Sequence, residues 1–129
     1  MISIIDDDQS VRDAMESLVR SLGYAVATFA SAEEYLQSGR LRESSCLITD
    51  LRMPGMSGAD LQDQLIADGY ETPIIFMTAS RDEGVRARVL NAGASGFLRK
   101  PFDEQRLIDC LKTALKRAAI GAAKPRAAD

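Results

Sequence analysis

The sequence predicts an α/β protein built on a single doubly wound, five-stranded parallel sheet with helices on both faces. Short apolar runs alternate five times with amphipathic segments of helical period, which is the order expected for repeated strand–helix units. The apolar runs show no alternation of polar and apolar residues, so we expect strands that are buried on both faces of the sheet. A chain of 129 residues, of which 46% are hydrophobic, has the size of one domain.

The first half of the chain contains three predicted strands and two predicted helices. Apolar residues recur with helical spacing from Val11, and Gly23 ends that helix. Ser31 and Glu34 have the spacing of a capping box that opens a short second helix. The predicted order is a strand at 1–5, a helix at 11–22, a strand at 25–29, a helix at 31–36, a polar connection at 39–45 and a strand at 46–50.

The second half of the chain repeats the strand–helix pattern. Ser57 and Asp103 are predicted to cap the third and the last helix, and Gly93 to end the fourth. We therefore expect one folded domain at 1–118, followed by an Ala-rich linker or disordered tail at 119–129. The predicted order is a helix from 57, a strand at 74–77, a helix at about 82–92, a strand at 96–99 and a helix from 103 to about 118.

Composition excludes several classes of function. The chain has no histidine, which excludes histidine-based acid–base catalysis and histidine metal ligation. A net charge of -3 argues against nucleic acid binding by this segment alone. With no apolar run of membrane-spanning length and no signal peptide, the sequence predicts no membrane association and a cytoplasmic location. Cys46 and Cys110 match no metal or redox spacing and are expected in or near the core.

Four of the predicted strands lead into residues that can bind a metal ion or a phosphoryl group. Asp6 and Asp7 follow the first strand, Asp50 ends the third, Thr78 follows the fourth and Lys100 follows the fifth. Neighbouring strands lie about 5 Å apart, and ligands bind at their carboxyl ends in open α/β sheets. Carboxylates that converge there need a cation or a proton, and Mg²⁺ prefers oxygen ligands of this kind.

This set of groups is typical of a site for a phosphoryl group. Carboxylates form aspartyl-phosphates, so Asp50, near the centre of the set, is the candidate nucleophile. Each member alone also has an ordinary structural interpretation. Asp50 could start a turn, Asp6 to Asp8 could be acids favoured at a helix N-terminus, Thr78 could be an ordinary strand-end residue and Lys100 a surface lysine. Suitable groups at four strand ends together favour the functional interpretation.

Five short motifs in and around these strand ends are specific when taken together. They are Ile4-Ile5-Asp6-Asp7, Asp50-Leu51-Arg52-Met53-Pro54 with Ser57-Gly58, Met77-Thr78-Ala79, Gly93-Ala94 and Lys100-Pro101-Phe102. From Ile2 to about Lys116 the chain resembles the receiver domain of two-component response regulators. The resemblance implies a flavodoxin-like fold with strand order 2-1-3-4-5. The Asp-Leu-Arg-Met-Pro form is similar to that of regulators with a helix-turn-helix DNA-binding output domain, which implies transcription regulation.

The resemblance also implies a chemistry and a partner. It implies that Asp50 accepts a phosphoryl group from a phosphohistidine of a sensor histidine kinase. It implies that Asp7, Asp50 and the backbone carbonyl of Arg52 hold Mg²⁺, with Asp6 acting mainly through bound water.

The same resemblance assigns the residues that hold the phosphoryl group and respond to it. Lys100, the Thr78 hydroxyl and backbone N–H groups near Leu51 and Ala79 would bind phosphoryl oxygens. The added negative charge would draw Thr78 inward and bias a two-state loop. In the family an aromatic residue on strand five follows that movement; here it is Phe97, which has no hydroxyl to donate.

Helix four and strand five lie nearest to Thr78 and Phe97, so together with helix five they form the expected output surface. This surface is expected to mediate phosphorylation-dependent homodimerisation or to contact an output domain. Arg81, Arg86 and Arg88 are its exposed candidates, although the same residues fit an ordinary solvated face.

Two other functions stay open. Asp6-Asp7-Asp8-Gln9-Ser10 is close to the signature of Mg²⁺-dependent aspartyl-phosphate hydrolases of the haloacid-dehalogenase type. However, no acidic pair follows Lys100 on a further strand end, and little room is left for a substrate pocket. A module that never turns over phosphate is opposed by the complete set of acids. We therefore expect a phosphoacceptor switch domain and not an enzyme, one that catalyses only its own phosphotransfer and dephosphorylation.

Overall fold

The protein folds around one five-stranded parallel sheet. The structure is a computed structural model that describes residues 1–123, with side chains described up to residue 117. The strands lie in the order β2-β1-β3-β4-β5, and every pair is parallel. This confirms the predicted sheet and its order 2-1-3-4-5. The strand bounds are β1 Ile2–Ile5, β2 Val26–Phe29, β3 Cys46–Asp50, β4 Ile74–Thr78 and β5 Gly96–Arg99.

Five α-helices connect and follow the strands. A 3-10 turn at Leu41–Glu43 lies in the segment that the sequence predicted only as a polar connection. The last helix continues past residue 118, because Ala is the strongest helix former, so the segment predicted as a linker or tail begins inside it. Residues 124–129 lie outside the described part of the chain. The helix bounds are α1 Gln9–Ser21, α2 Ala32–Gln37, α3 Gly58–Ala67, α4 Glu83–Asn91 and α5 Glu104–Ala123.

Each strand sends neighbouring side chains to opposite faces of the sheet, where two apolar clusters lie. One cluster joins Leu47 and Phe76 to side chains of α2, α3 and α4. The other joins Ile48 and Ile75 to side chains of α1 and α5. Both faces are therefore covered by helices, which explains why the strands are continuously apolar.

Local side-chain chemistry sets where the helices begin. Asp8, Ser31, Ser57 and Asp82 each accept hydrogen bonds from backbone N–H groups in the first turn that follows. The predicted caps at Ser31 and Ser57 are therefore confirmed. The Asp103 carboxylate likewise accepts the Arg106 N–H at 2.8 Å, as predicted for the last helix.

The two cysteines are free, with Cys46 buried and Cys110 half-buried, as expected for core and near-core residues. Burial raises the pKa of the Cys46 thiol to about 12. Across residues 1–123, no helix combines the length and the apolar character needed to cross a membrane.

Candidate functional site

The strand register brings the predicted residues to one edge of the sheet. Ile5 pairs with Thr49 across β1 and β3, so Asp6 and Asp50 follow on adjacent strands. Asp50 in turn pairs with Met77 of β4, which places Thr78 one residue further along. Thr78 pairs with Arg99 of β5, and Lys100 comes next in the chain.

Three carboxylates converge at this edge. Asp6, Asp7 and Asp50 each offer one oxygen, and the three oxygens lie within 4.8 Å of one another. Asp6 is buried, Asp50 is half-buried and Asp7 is exposed. The donor set is entirely hard oxygen, and the exposed Asp7 keeps the cluster open to water, which suits Mg²⁺ because it retains several water ligands. These residues therefore fit the metal that the sequence predicts.

Lys100 joins two of these acids. Its Nζ donates to Asp6 Oδ2 at 3.0 Å and to Asp50 Oδ2 at 3.1 Å. Burial disfavours the charged amine, but the hydrogen bonds to the two carboxylates outweigh that effect, so the pKa of Lys100 is raised. Lys100 is therefore a fixed positive charge at the centre of the site.

The environment of Asp50 disfavours its charged form. Burial raises the pKa of Asp50, the hydrogen bond and charge of Lys100 oppose that rise, and the nearby Asp6 adds to it. Its Oδ1 accepts the Arg52 N–H at 3.3 Å. A cation that binds next to this carboxylate would offset the cost of its ionisation.

Asp6 is held by partners on several sides. The Asp8 N–H donates to its Oδ1 at 2.9 Å, and the Arg12 guanidinium donates to its backbone oxygen at 2.6 Å. The Asp8 carboxylate itself is used for the α1 cap, where it accepts from Ser10 and Val11. The interpretation of Asp8 as an acid at the start of α1 is therefore confirmed, but the sequence gave no indication of Arg12.

Thr78 and Phe97 lie on the strands next to the acids. Thr78 is buried, and its hydroxyl accepts the Ser80 N–H at 3.0 Å. Its backbone oxygen accepts the Lys100 N–H at 2.8 Å. Phe97 is half-buried, and the Arg86 guanidinium lies 5.5 Å from the centre of its ring.

The start of the loop between β3 and α3 offers one backbone donor beside Asp50. The Leu51 N–H donates to the Met77 backbone oxygen at 2.8 Å, because the strand ladder extends one residue past Asp50. The Leu51 N–H itself is therefore engaged with the sheet, and the expectation that a backbone N–H near Leu51 holds a phosphoryl oxygen stays a prediction. The Arg52 N–H, which contacts Asp50, is the donor at that side of the site.

A second contact to this loop comes from α2. Glu33 Oε1 accepts the Met56 N–H at 3.1 Å. The sequence gave no signal for Glu33, since its role depends on how α2 is oriented over the sheet.

Known proteins resemble this chain over most of its length. The sequence model of one family, the response regulator receiver domain, matches residues 2–112. The response regulator protein TodT of Pseudomonas putida is 43% identical over 118 residues, which are 92% of this chain and 52% of that protein. The transcriptional regulatory protein FixJ of Azorhizobium caulinodans is 37% identical over 118 residues, 92% of this chain and 56% of FixJ. The chain thus spans about half the length of the curated relatives that it matches.

Solved structures give the same result. The response regulator StyR superposes with a TM-score of 0.86 at 43% identity, covering 94% of this chain and 61% of StyR. The FixJ-N structure superposes with a TM-score of 0.80 at 32% identity, covering 89% of this chain and 92% of FixJ-N.

Proposed function

Because the chain belongs to the family of response regulator receiver domains, we propose that it is a phosphorylation-dependent signalling switch whose phosphoacceptor is Asp50. The geometry around that carboxylate carries the proposal. Lys100 Nζ lies 3.1 Å from Asp50 Oδ2, and Asp6, Asp7 and Asp50 offer oxygens within 4.8 Å of one another. The proposal is thus supported by a carboxylate, a positively charged lysine and a cluster of acids that could hold a metal ion, all at one point of the sheet edge.

Mg²⁺ is the proposed cofactor of this site. Asp7, Asp50 and the backbone carbonyl of Arg52 would hold the ion, and Asp6 would act through a bound water. When bound, the ion neutralises the carboxylates and so reduces their repulsion of an incoming phosphoryl group.

The proposed donor is a phosphohistidine of a sensor histidine kinase. A carboxylate oxygen of Asp50 attacks the phosphorus atom, and the O–P bond forms as the P–N bond breaks. The electron pair of the broken bond returns to the imidazole. Lys100 is placed to neutralise phosphoryl oxygens during this transfer. Later attack of water on phosphorus releases inorganic phosphate and restores the Asp50 carboxylate.

Thr78 and Phe97 are the proposed switch residues. The Thr78 hydroxyl accepts from the Ser80 N–H, but its own proton stays available, because a hydroxyl can accept and donate together. A phosphoryl oxygen on Asp50 would accept a hydrogen bond from that hydroxyl and draw Thr78 towards it. Phe97 would then turn inward, away from the Arg86 guanidinium that now lies over its ring.

The output of the switch is proposed from the relatives. FixJ, of which this chain covers 56%, is described as a transcriptional regulatory protein. We extend this to the present receiver domain and propose that it regulates transcription through a DNA-binding output domain of helix-turn-helix type. Its own contribution would be a phosphorylation-dependent homodimer contact made by α4, β5 and α5.

An aspartyl-phosphate hydrolase would use the same acids but is less well supported. The acid that follows Lys100 in the chain is Asp103, and its carboxylate caps α5 through the Arg106 N–H. It is therefore committed to the helix, and the further metal ligands that a hydrolase of this kind needs are missing from the described strand ends. A switch that catalyses only its own phosphotransfer and dephosphorylation fits the site better.

Intact-mass measurement after incubation with Mg²⁺ and acetyl phosphate tests the proposal. The wild type should gain one phosphoryl group, and Asp50→Asn should gain none. Asp8→Asn is the matched control: it removes a neighbouring carboxylate, keeps a residue that caps helices well, and should be labelled like the wild type. Chelation of Mg²⁺ should stop the labelling. Undiminished labelling of Asp50→Asn would overturn the assignment.

A further inference from the structure

The loop that follows Asp50 is fixed at both ends by its own strand and helix. At its start, the Leu51 N–H donates to the Met77 backbone oxygen at 2.8 Å. At its end, the Gly58 N–H donates to the Leu51 backbone oxygen at 2.9 Å, and Ser57 caps α3. Between these anchors, Pro54 and Gly55 are exposed, whereas Met53 and Met56 are half-buried against the apolar cluster.

One side chain from a different element accepts a hydrogen bond from this middle segment, in addition to the apolar packing of Met53 and Met56. Glu33 Oε1 accepts the Met56 N–H at 3.1 Å. Within the described part of the chain, this is the hydrogen bond that residues 53–56 make with the rest of the molecule. The backbone of the loop tip is therefore held by a carboxylate of α2, while Met53 and Met56 anchor its side chains in the apolar cluster.

Gly55 lies directly against the Glu33 carboxylate. A Cβ added to Gly55 would lie 2.7 Å from Glu33 Oε2, closer than a real Cβ approaches an oxygen. Gly55 also has a φ of +77°, a conformation that favours glycine. Any other residue at position 55 would therefore adopt an unfavourable backbone conformation and would also push against the Glu33 carboxylate.

Glu33 is itself carried by a firmly packed helix. Its neighbours Ala32 and Tyr35 are both fully buried, and the Tyr35 ring packs edge-on against Phe29 of β2 with 5.1 Å between centroids. The backbone at Glu33 is therefore held in place by the packing of α2. The hydrogen bond from the Met56 N–H to Glu33 fixes the loop relative to this helix.

We infer that Glu33 is a positioning residue for Mg²⁺ binding, because it fixes the loop that presents the Arg52 carbonyl. The inference rests on the proposed function, in which that carbonyl and Asp50 are metal ligands. Arg52 lies between the strand anchor at Leu51 and the tip held by Glu33, so its carbonyl direction depends on both. Partners that hydrogen-bond directly to a metal ligand typically contribute about 10- to 100-fold to metal affinity, and because Glu33 acts on Arg52 through the loop we expect the lower end of that range.

The test compares Glu33→Ala with Glu33→Gln, and uses Glu34→Ala as the matched control. Glu33→Gln keeps an oxygen acceptor for the Met56 N–H but removes the charge. Glu34 is an exposed acid of the same helix turn whose carboxylate accepts the Ala30 N–H instead of contacting the loop. A loss seen in Glu33→Ala alone is therefore due to the hydrogen bond and not to the removal of a negative charge.

Three measurements are made on each protein: hydrogen exchange of the Met56 amide without metal, the Kd for Mg²⁺ alone, and the phosphorylation rate by acetyl phosphate as a function of Mg²⁺. In Glu33→Ala we expect faster Met56 exchange and a Kd for Mg²⁺ about 10-fold weaker. Its phosphorylation rate should fall at low Mg²⁺ and return to the wild-type value at saturating Mg²⁺. Glu33→Gln and Glu34→Ala should stay near the wild type.

The outcomes separate this inference from the proposed function. If the wild type binds Mg²⁺ and takes up phosphate but Glu33→Ala does so with unchanged Mg²⁺ dependence, the role of Glu33 is overturned while the switch stands. An equal loss in Glu34→Ala would likewise overturn it, in favour of a general charge effect. If the wild type neither binds Mg²⁺ nor takes up phosphate, the proposed function itself fails.

Discussion

At the scale of single residues, the site is a cluster of acids whose negative charges are partly balanced by one lysine. Lys100 contacts Asp6 and Asp50, and the exposed Asp7 completes the group of acids. These residues could be predicted from the sequence because a parallel sheet brings all its strand ends to one edge. Arg12 and Glu33 could not, since their contacts depend on how α1 and α2 are rotated and how far each side chain reaches.

The raised pKa of Asp50 predicts that this residue destabilises the fold when it is ionised and no metal is bound. Burial is the main cause of the raised pKa, and it outweighs the contact with Lys100. A carboxylate with a higher pKa in the folded state lowers the free energy of unfolding above that pKa. The penalty decreases as pH falls through the folded-state pKa and is absent below the unfolded value of about 3.9. In EDTA at pH 7, Asp50→Asn should therefore be more stable than the wild type.

Urea denaturation from pH 7 down to about pH 4 measures this difference, which should shrink as the solution becomes more acidic. Saturating Mg²⁺ should reverse the order, because an ion that binds only the folded wild type stabilises it by mass action. If Asp50→Asn is the less stable protein at pH 7 in EDTA, the prediction is wrong. The contact with Lys100 then stabilises the ionised Asp50 by more than the burial of its charge destabilises the fold.

At the scale of helices and strands, the predictions from sequence succeeded where a boundary has a local chemical cause. Ser57 caps α3 and Asp103 caps α5 as expected. Glu34, predicted to close a capping box with Ser31, instead accepts the N–H of Ala30, one residue earlier. The 3-10 turn at Leu41–Glu43 was missed because its sequence carries neither a periodic pattern nor a cap.

Gly58 is the first residue of α3 and lies against the backbone at the end of β3. Its replacement by alanine should therefore disturb both the helix and the site. A Cβ on Gly58 would lie 2.6 Å from the Asp50 backbone oxygen and 3.1 Å from the Leu51 Cα. Backbone atoms cannot move aside cheaply, so Gly58→Ala should cost about 1–3 kcal/mol, as is usual for overpacking. It should also weaken Mg²⁺ binding, because the clash displaces the end of β3.

Gly84→Ala in α4 is the matched control for this prediction. There an added Cβ meets only the flexible Asp82 carboxylate, at 3.2 Å, and alanine has the higher helix propensity, so its stability should stay within about 1 kcal/mol of the wild type. Both variants are compared with the wild type by urea denaturation, provided that the m-values agree. Equal stability of Gly58→Ala and the wild type would mean that the β3–α3 junction yields more easily than its packing indicates.

At the scale of the whole molecule, α4 is attached to the sheet differently from the other long helices. α1 buries two side chains and α5 buries three of those described, whereas α4 buries only Val89. Polar contacts supply much of the remaining attachment of α4: Gln62 Nε2 donates to the Val89 backbone oxygen at 3.0 Å, and Arg99 pairs with Glu83 at 3.0 Å. A helix held mainly in this way can shift at low cost when the site next to it changes charge.

The last prediction concerns the homodimer proposed for the face of α4, β5 and α5. Arg86 is exposed on this face, and its guanidinium lies 5.5 Å from the Phe97 ring centre, so Arg86→Glu reverses a charge where Phe97 would move. Treated with Mg²⁺ and beryllofluoride, the wild type should dimerise in sedimentation velocity and Arg86→Glu should stay monomeric, although acetyl phosphate should label both equally. Arg42→Glu is the control, because Arg42 also lies 5.5 Å from an aromatic ring, that of Tyr70, but outside α4, β5 and α5. If the treated wild type stays monomeric, or if Arg42→Glu loses the dimer as well, this face is not the surface through which two copies associate.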